Sequence, residues 1–188
     1  MKKVLFAAIL LVSSNAIFAQ VDQGQILAGG NAGFNSSKEG DYKVTDFNIS
    51  PDIGYFFINQ FAGGLRVSYM HSKTKLNSSS STTNSYWVAP FVRYYFMPSG
   101  EKLNLFADGS YGFGSSKTSG SSSVSANYYQ IMAGPALFLS PNTALEFALY
   151  YRSYGGDAYK TDRNNNFGLN IGFQVHLGNG GGSGGKKK

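Results

Sequence analysis

From Phe167 to Leu177 every second residue is apolar: Phe167, Leu169, Ile171, Phe173, Val175 and Leu177. The residues between them, Gly168, Asn170, Gly172, Gln174 and His176, are polar or bare. A period of two marks a strand with one greasy face. A soluble antiparallel sheet can carry the same alternation by turning that face into a core. Several long copies behind an export signal are better explained by a closed barrel in lipid, apolar outside and polar inside.

The first residues read as that signal. Lys2 and Lys3 precede an unbroken apolar run from Val4 to Val12, and Ala19-Gln20 is a plausible cleavage point. The run is too short to cross a bilayer as a helix, and no other stretch is a better candidate. A membrane-spanning reading therefore requires strands. The expected organisation is a signal peptide over 1–19, a barrel over 20–179 and a glycine-serine-lysine tail over 180–188. That tail is a flexible coil, either a fusion remnant or a native disordered basic end.

Composition removes other classes. There are no cysteines, so neither disulfides nor thiolate metal sites are available, and a lipidated cysteine anchor is excluded. The formal charge of +6 overstates the body, because five cations are Lys2, Lys3, Lys186, Lys187 and Lys188. Nucleic acid is not an expected partner, since phosphate binding needs a basic surface.

Eight alternating segments are expected near 25–35, 44–57, 61–72, 85–97, 103–114, 126–139, 143–153 and 165–177. The connections alternate between short ones, at Ile58-Asn59-Gln60, Pro98-Ser99-Gly100 and Ser140-Pro141-Asn142, and long ones, at 36–43, 73–84, 115–125 and 154–164. Short periplasmic turns and longer outer loops are the barrel pattern, and an even count puts both termini on the periplasmic side. The fold class is thus all-β: an eight-stranded antiparallel up-and-down transmembrane barrel. Tyr55, Phe57, Phe61, Tyr94 and Phe96 are expected at the inner interface, and Tyr69, Tyr86, Tyr111, Phe113, Tyr129 and Tyr151 at the outer one. The segment from Tyr86 to Phe96 is apolar on both faces, and only Arg93 sets its register. Pro51, Pro90 and Pro135 recur mid-strand and outward, which suggests a copied hairpin unit with a bulge or kink at each proline.

The run Ile49-Ser-Pro-Asp-Ile-Gly-Tyr-Phe-Phe57, then Phe61-Ala-Gly-Gly-Leu65, and Pro90-Phe-Val-Arg-Tyr-Tyr-Phe96 resemble the small porin-like outer-membrane β-barrel proteins, related in architecture to the OmpA and OmpX barrels. The resemblance covers essentially residues 20–177 and implies a fold more than a function. It also implies a final aromatic residue. Here the last strand stops near Leu177 and the spacer follows, a departure that points to an altered terminus.

The interior of an eight-stranded barrel is just wide enough for side chains to fill. Inward positions carry Asp46, Asp52, Asp108 and Glu146 against Arg66, Arg93 and Arg152. Buried charges are unfavourable unless paired, so these seven are expected to form an interior network. Counting from the short turns puts Asp52, Arg66, Arg93, Asp108 and Glu146 in the lower half. The network either holds structure or gates small solutes.

Other chemistry is thin. His71, beside Ser72, and His176 lie at opposite ends, with no acid near His71 in sequence and no ligand spacing. No catalytic, metal or cofactor site is expected. The serine-rich loops carry Lys73, Lys75 and Lys117, which could contact lipopolysaccharide phosphates or be simply solvated. The expected role is structural or interactive: envelope integrity, loop presentation, or service as an accessory subunit of a larger outer-membrane complex. A narrow channel is the alternative and a lipid-modifying enzyme the third reading. Outer-membrane lipid and lipopolysaccharide are the expected partners.

Overall fold

The alternation closes on itself. The computed structural model describes residues 21–77, 79–159 and 162–178, and in it eight antiparallel strands follow chain order around a closed barrel. They are β1 (Ile26–Glu39), β2 (Tyr42–Ile58), β3 (Phe61–Leu76), β4 (Ser79–Tyr95), β5 (Leu103–Thr118), β6 (Val124–Ser140), β7 (Thr143–Gly155) and β8 (Asn164–Leu177). The signal expected over 1–19 and the tail expected over 180–188 lie outside the described residues.

Strand parity sorts the side chains. On β2, Phe47, Ile49, Ile53, Tyr55 and Phe57 are exposed on the outer face, while Ser50, Asp52 and Phe56 are buried within. On β4 the parity of Arg93 decides: Ser85, Trp87, Ala89, Phe91, Arg93 and Tyr95 are buried, and Tyr86, Val88, Val92 and Tyr94 are exposed. A continuous apolar belt on the outside of a closed ladder is what a bilayer core requires.

Two local expectations change. The long outer loops at 36–43, 73–84 and 115–125 are largely strand. The β3–β4 ladder runs up to Leu76↔Ser79, and the β1–β2 ladder to Glu39↔Tyr42. Serine and threonine there continue the pleat and bond across it: the Thr83 and Thr118 hydroxyls meet at 2.9 Å, and those of Ser85 and Ser116 at 2.7 Å. Cross-strand hydroxyl pairs of this kind stabilise a sheet where apolar contacts run out.

The prolines behave differently from the bulges expected of them. Pro51, Pro90 and Pro135 keep their rungs to the preceding strand, at Gly30, Leu65 and Leu105. Toward the following strand the ladder skips two rungs, as between Ala133↔Leu149 and Ala136↔Glu146, and resumes in unchanged register. The missing N–H faces the following strand each time, so a gap replaces a bulge. The register shifts that do occur sit beside short turns, between Phe56 and Ile58 and between Phe138 and Ser140.

At the third gap Gly134 permits close approach of β7: a Cβ there would run into the Phe147 carbonyl oxygen. Gly134→Ala is therefore expected to destabilise the barrel by about 1–3 kcal/mol. Urea titration of protein refolded in micelles measures it, and an unchanged midpoint would contradict the close-approach account.

Candidate functional site

The lumen is built in three tiers. At the short-turn end the tier is apolar and aromatic. Leu27, Phe56, Tyr95, Phe106, Phe138 and His176 are buried from six strands, and the His176 ring packs against Phe56, Tyr95 and Phe138 at centroid distances of 5.5, 5.7 and 5.3 Å. The segment preceding β1 closes this mouth. Gln60 N donates to Val21 O at 2.7 Å, Val21 N donates to Ser99 Oγ at 3.1 Å, and Ser99 Oγ donates to Asp22 Oδ1 at 2.6 Å.

Above it lies an ionic tier. Arg66 on β3 donates from Nε and Nη2 to Asp52 Oδ2 at 3.2 and 3.1 Å, and from Nη1 and Nη2 to the two Asp108 oxygens at 3.3 and 3.1 Å. Arg93 on β4 donates from Nε to Asp108 Oδ2 at 3.1 Å and from Nη1 to Glu146 at 2.9 and 3.1 Å. Asp108 therefore joins both guanidiniums. The chain Asp52–Arg66–Asp108–Arg93–Glu146 crosses the lumen from β2 to β7, and all five side chains are buried.

Three carboxylates face two guanidiniums, and neutral donors absorb the excess. Gln174 Nε2 donates to Asp52 Oδ1 at 3.1 Å, and Tyr95 OH donates to Glu146 Oε1 at 3.0 Å. The guanidiniums also stack on aromatic faces, Arg66 over Phe91 at 4.9 Å and Arg93 over Phe106 at 4.7 Å. Such stacking suits a planar, weakly hydrated cation in a dry site.

The upper tier is a polar cup of about 860 Å³. Here stand the two members of the expected seven that do not join the network. Asp46 lies six residues above Asp52 on β2, and Arg152 six above Glu146 on β7. At 3.3 Å per residue that is about 20 Å of strand, too far for contact. Arg152 Nε donates to Gln130 Oε1 at 2.6 Å and Nη1 to Tyr154 OH at 2.9 Å, with its guanidinium over Tyr128 at 4.9 Å. Asp46 lines the cup and makes no ion pair among the described residues.

On the outer wall, Lys73 and Lys75 point outward from β3. With Lys43, Thr45 and His71 they line a cleft of about 200 Å³. The β2–β3 register sets Lys43 directly opposite Lys75 and Thr45 opposite Lys73. Lys117 stands two strands away, opposite Asn84. The His71 ring reaches Asn84 Oδ1 from Nδ1 at 2.8 Å, an oxygen that also accepts from Tyr69 OH at 3.0 Å. Lys43 escaped the sequence reading because it was placed at the end of a loop. The aromatic seal escaped it too, although Phe56 shares the parity of Asp52, and Phe106 that of Asp108.

Truncating Arg93 leaves buried Glu146 without its cation and Asp108 with Arg66 alone, so Arg93→Ala is expected to cost about 3–5 kcal/mol. Arg152 has neutral partners and partial solvent access, so Arg152→Ala is expected to cost below about 1.5 kcal/mol. Urea unfolding of the two variants in one micelle system compares them directly, and equal losses would mean that the ionic tier is not the special one.

The family described as outer membrane protein beta-barrel domain matches residues 4–176. No curated protein matches. Among solved structures the chain is similar to Neisserial surface protein A (NspA), at 19% identity, covering 87% of this chain and 98% of that one with a TM-score of 0.54. It is also similar to OprG, an outer membrane protein from Pseudomonas aeruginosa, at 12% identity, covering 86% and 99% with a TM-score of 0.52. At such identities these likenesses speak for the fold alone. The family match spans most of the chain, and the chain belongs to the outer membrane protein beta-barrel domain family.

Proposed function

We propose that this protein is a sealed barrel of the bacterial outer membrane whose role is structural and interactive rather than catalytic or conductive. The single observation behind this reading is the buried chain from Asp52 to Glu146, lying directly on an aromatic floor. An ion would have to break the Arg66–Asp108 and Arg93–Glu146 pairs and then pass Phe56 and Phe138. Separating buried pairs leaves uncompensated charge in a dry interior, which makes the network a lock more readily than a gate.

Its partner side is the outer wall. Lys43, Lys73 and Lys75 gather on adjacent strands, directly above exposed Phe47 and the girdle residue Tyr69 in the β2–β3 ladder, and make no ion pair among the described residues. Cations at headgroup height with no carboxylate to neutralise them suit the phosphates of lipopolysaccharide. Lys117 extends the basic surface along the same rim. A place as accessory subunit of a larger membrane complex would use this wall or the turns above it.

Two measurements test the reading. In planar bilayers the folded protein is expected to give no resolvable current; steady unitary currents would overturn the sealed lumen. Replacing Lys43, Lys73 and Lys75 together by alanine is expected to weaken retention of lipopolysaccharide through purification, with a salt-dependent loss of about tenfold or more in affinity. Unchanged retention would remove lipopolysaccharide as the partner.

A further inference from the structure

The barrel is closed at its base but not along its whole height. β1 pairs with β8 only from Ile26↔Leu177 to Asn31↔Gly172, six rungs. Both strands continue upward on other partners: β1 stays with β2 to Glu39↔Tyr42, and β8 with β7 to Tyr154↔Asn164. Extending the register would pair Ala32 with Ile171 and carry on to Glu39 and Asn164. No such rung forms among the described residues. The change comes just above Gly30, whose φ of +140° is a conformation L side chains rarely adopt, and which lies opposite Pro51.

The lips of this seam face hydrocarbon. Leu169, Phe34 and Phe167 are the most exposed large apolar side chains among the described residues, at 78, 73 and 72%. An open sheet edge in a bilayer leaves backbone donors and acceptors unpaired, which lipid tails cannot satisfy. Something polar must therefore reach the edge from one side while something apolar covers it from the other.

Both halves of such a site are present and they touch. Outside the base of the seam runs an apolar groove of about 460 Å³, walled by Gly30, Ala32, Ile49, Pro51, Ile171 and Phe173. Inside is the 860 Å³ polar cup, with Asn48, Asn166, Asn170 and Trp87 on its walls. Groove and cup share Asn31, Ala32 and Ile171, so one opens into the other at the top of the β1–β8 ladder. Both volumes are in the usual range for small-molecule sites. The cup holds two opposite charges left over from the ionic tier, and among the described residues Asp46 has no partner and Arg152 Nη2 donates to none.

We propose that the β1–β8 seam is a lateral binding crevice for a single-chain zwitterionic phospholipid, with its phosphate on Arg152, its ammonium on Asp46 and its acyl chain in the groove between Pro51 and Ile171. Charge complementarity selects the head, because an anion alone would leave Asp46 unanswered and repelling. The wall selects one chain. Among the described residues the other ladders are interrupted only by the two-rung gaps at the prolines, so a second tail could only enter the polar cup.

The test uses the full chain folded in phosphatidylcholine nanodiscs, with segment-resolved amide exchange read by mass spectrometry and palmitoyl lysophosphatidylethanolamine as the probe. Residues 32–39 and 164–171 are expected to exchange at least about tenfold faster than 26–31 and 172–177, and the probe is expected to slow them saturably. Arg152→Gln and Asp46→Asn should each raise the half-saturating concentration about tenfold, with the exchange of the Arg66 and Arg93 segments unchanged as the folding control. Lysophosphatidylglycerol, which lacks the ammonium, should bind wild-type protein about tenfold more weakly, a comparison that needs no variant. Uniform protection along β1 and β8 would overturn the crevice. Equal affinity for the two lysolipids, or slowing untouched by both substitutions, would overturn the assigned head.

Discussion

In hydrocarbon a backbone N–H has no water to fall back on, and this constraint orders the rest of the molecule. Strands crossing hydrocarbon must be bonded on both sides, so the sheet closes, and the β1–β8 ladder stops short only in its upper part. Closing eight strands leaves a bore that only side chains can fill. What fills it is decided by parity alone, because the same alternation that turns Phe47, Ile49 and Ile53 to lipid turns Ser50, Asp52 and Phe56 inward. The three prolines show how tight the requirement is. Each lacks one donor, each forfeits rungs on one side only, and the register survives unaltered.

Inside, charge and aromatic surface cooperate. A lone Asp108 in this bore would be strongly destabilising, and a lone Arg66 equally so. Placed between two guanidiniums, Asp108 turns two separate pairs into one chain spanning the lumen. The aromatic floor below keeps water from screening it, and Phe91 and Phe106 give the guanidiniums a face to lie on. The network is consequently the filling of the barrel, and in the proposed sealed lumen it is also the barrier across it. The open cup above keeps charges, Asp46 and Arg152, that stand too far along their strands for the network to answer.

Much of this was legible in the chain. Alternation named the strands and faces, and counting from the short turns put Asp52, Arg66, Arg93, Asp108 and Glu146 at one depth. The same count left Asp46 and Arg152 out of that depth, and six residues of strand carry a side chain out of reach of the network they were still expected to join. Composition misled at the rim. A run such as Ser79 to Asn84 looks like a loop because it is hydrophilic, yet its hydroxyls continue a ladder that has simply left the bilayer. The floor was hidden because aromatic residues near strand ends suggest girdles, and only parity shows that Phe56 and Phe138 point the other way. The partial seam between β1 and β8 has no local signature. It depends on residues at opposite ends of the chain and on a backbone turn at Gly30.

All of this follows from lipid being the solvent of the outer face, which removal of lipid addresses directly. The chain is transferred from denaturant into detergent-free buffer and, in parallel, into micelles, and each sample is followed by circular dichroism, sedimentation and the emission of Trp87, the single tryptophan. The expected result is a β-rich monomer with a shielded Trp87 in micelles and only aggregate or unfolded chain in buffer. A folded, soluble monomer in buffer alone would contradict the account, because exposed residues such as Leu169 and Ile171 would then need no hydrocarbon to cover them.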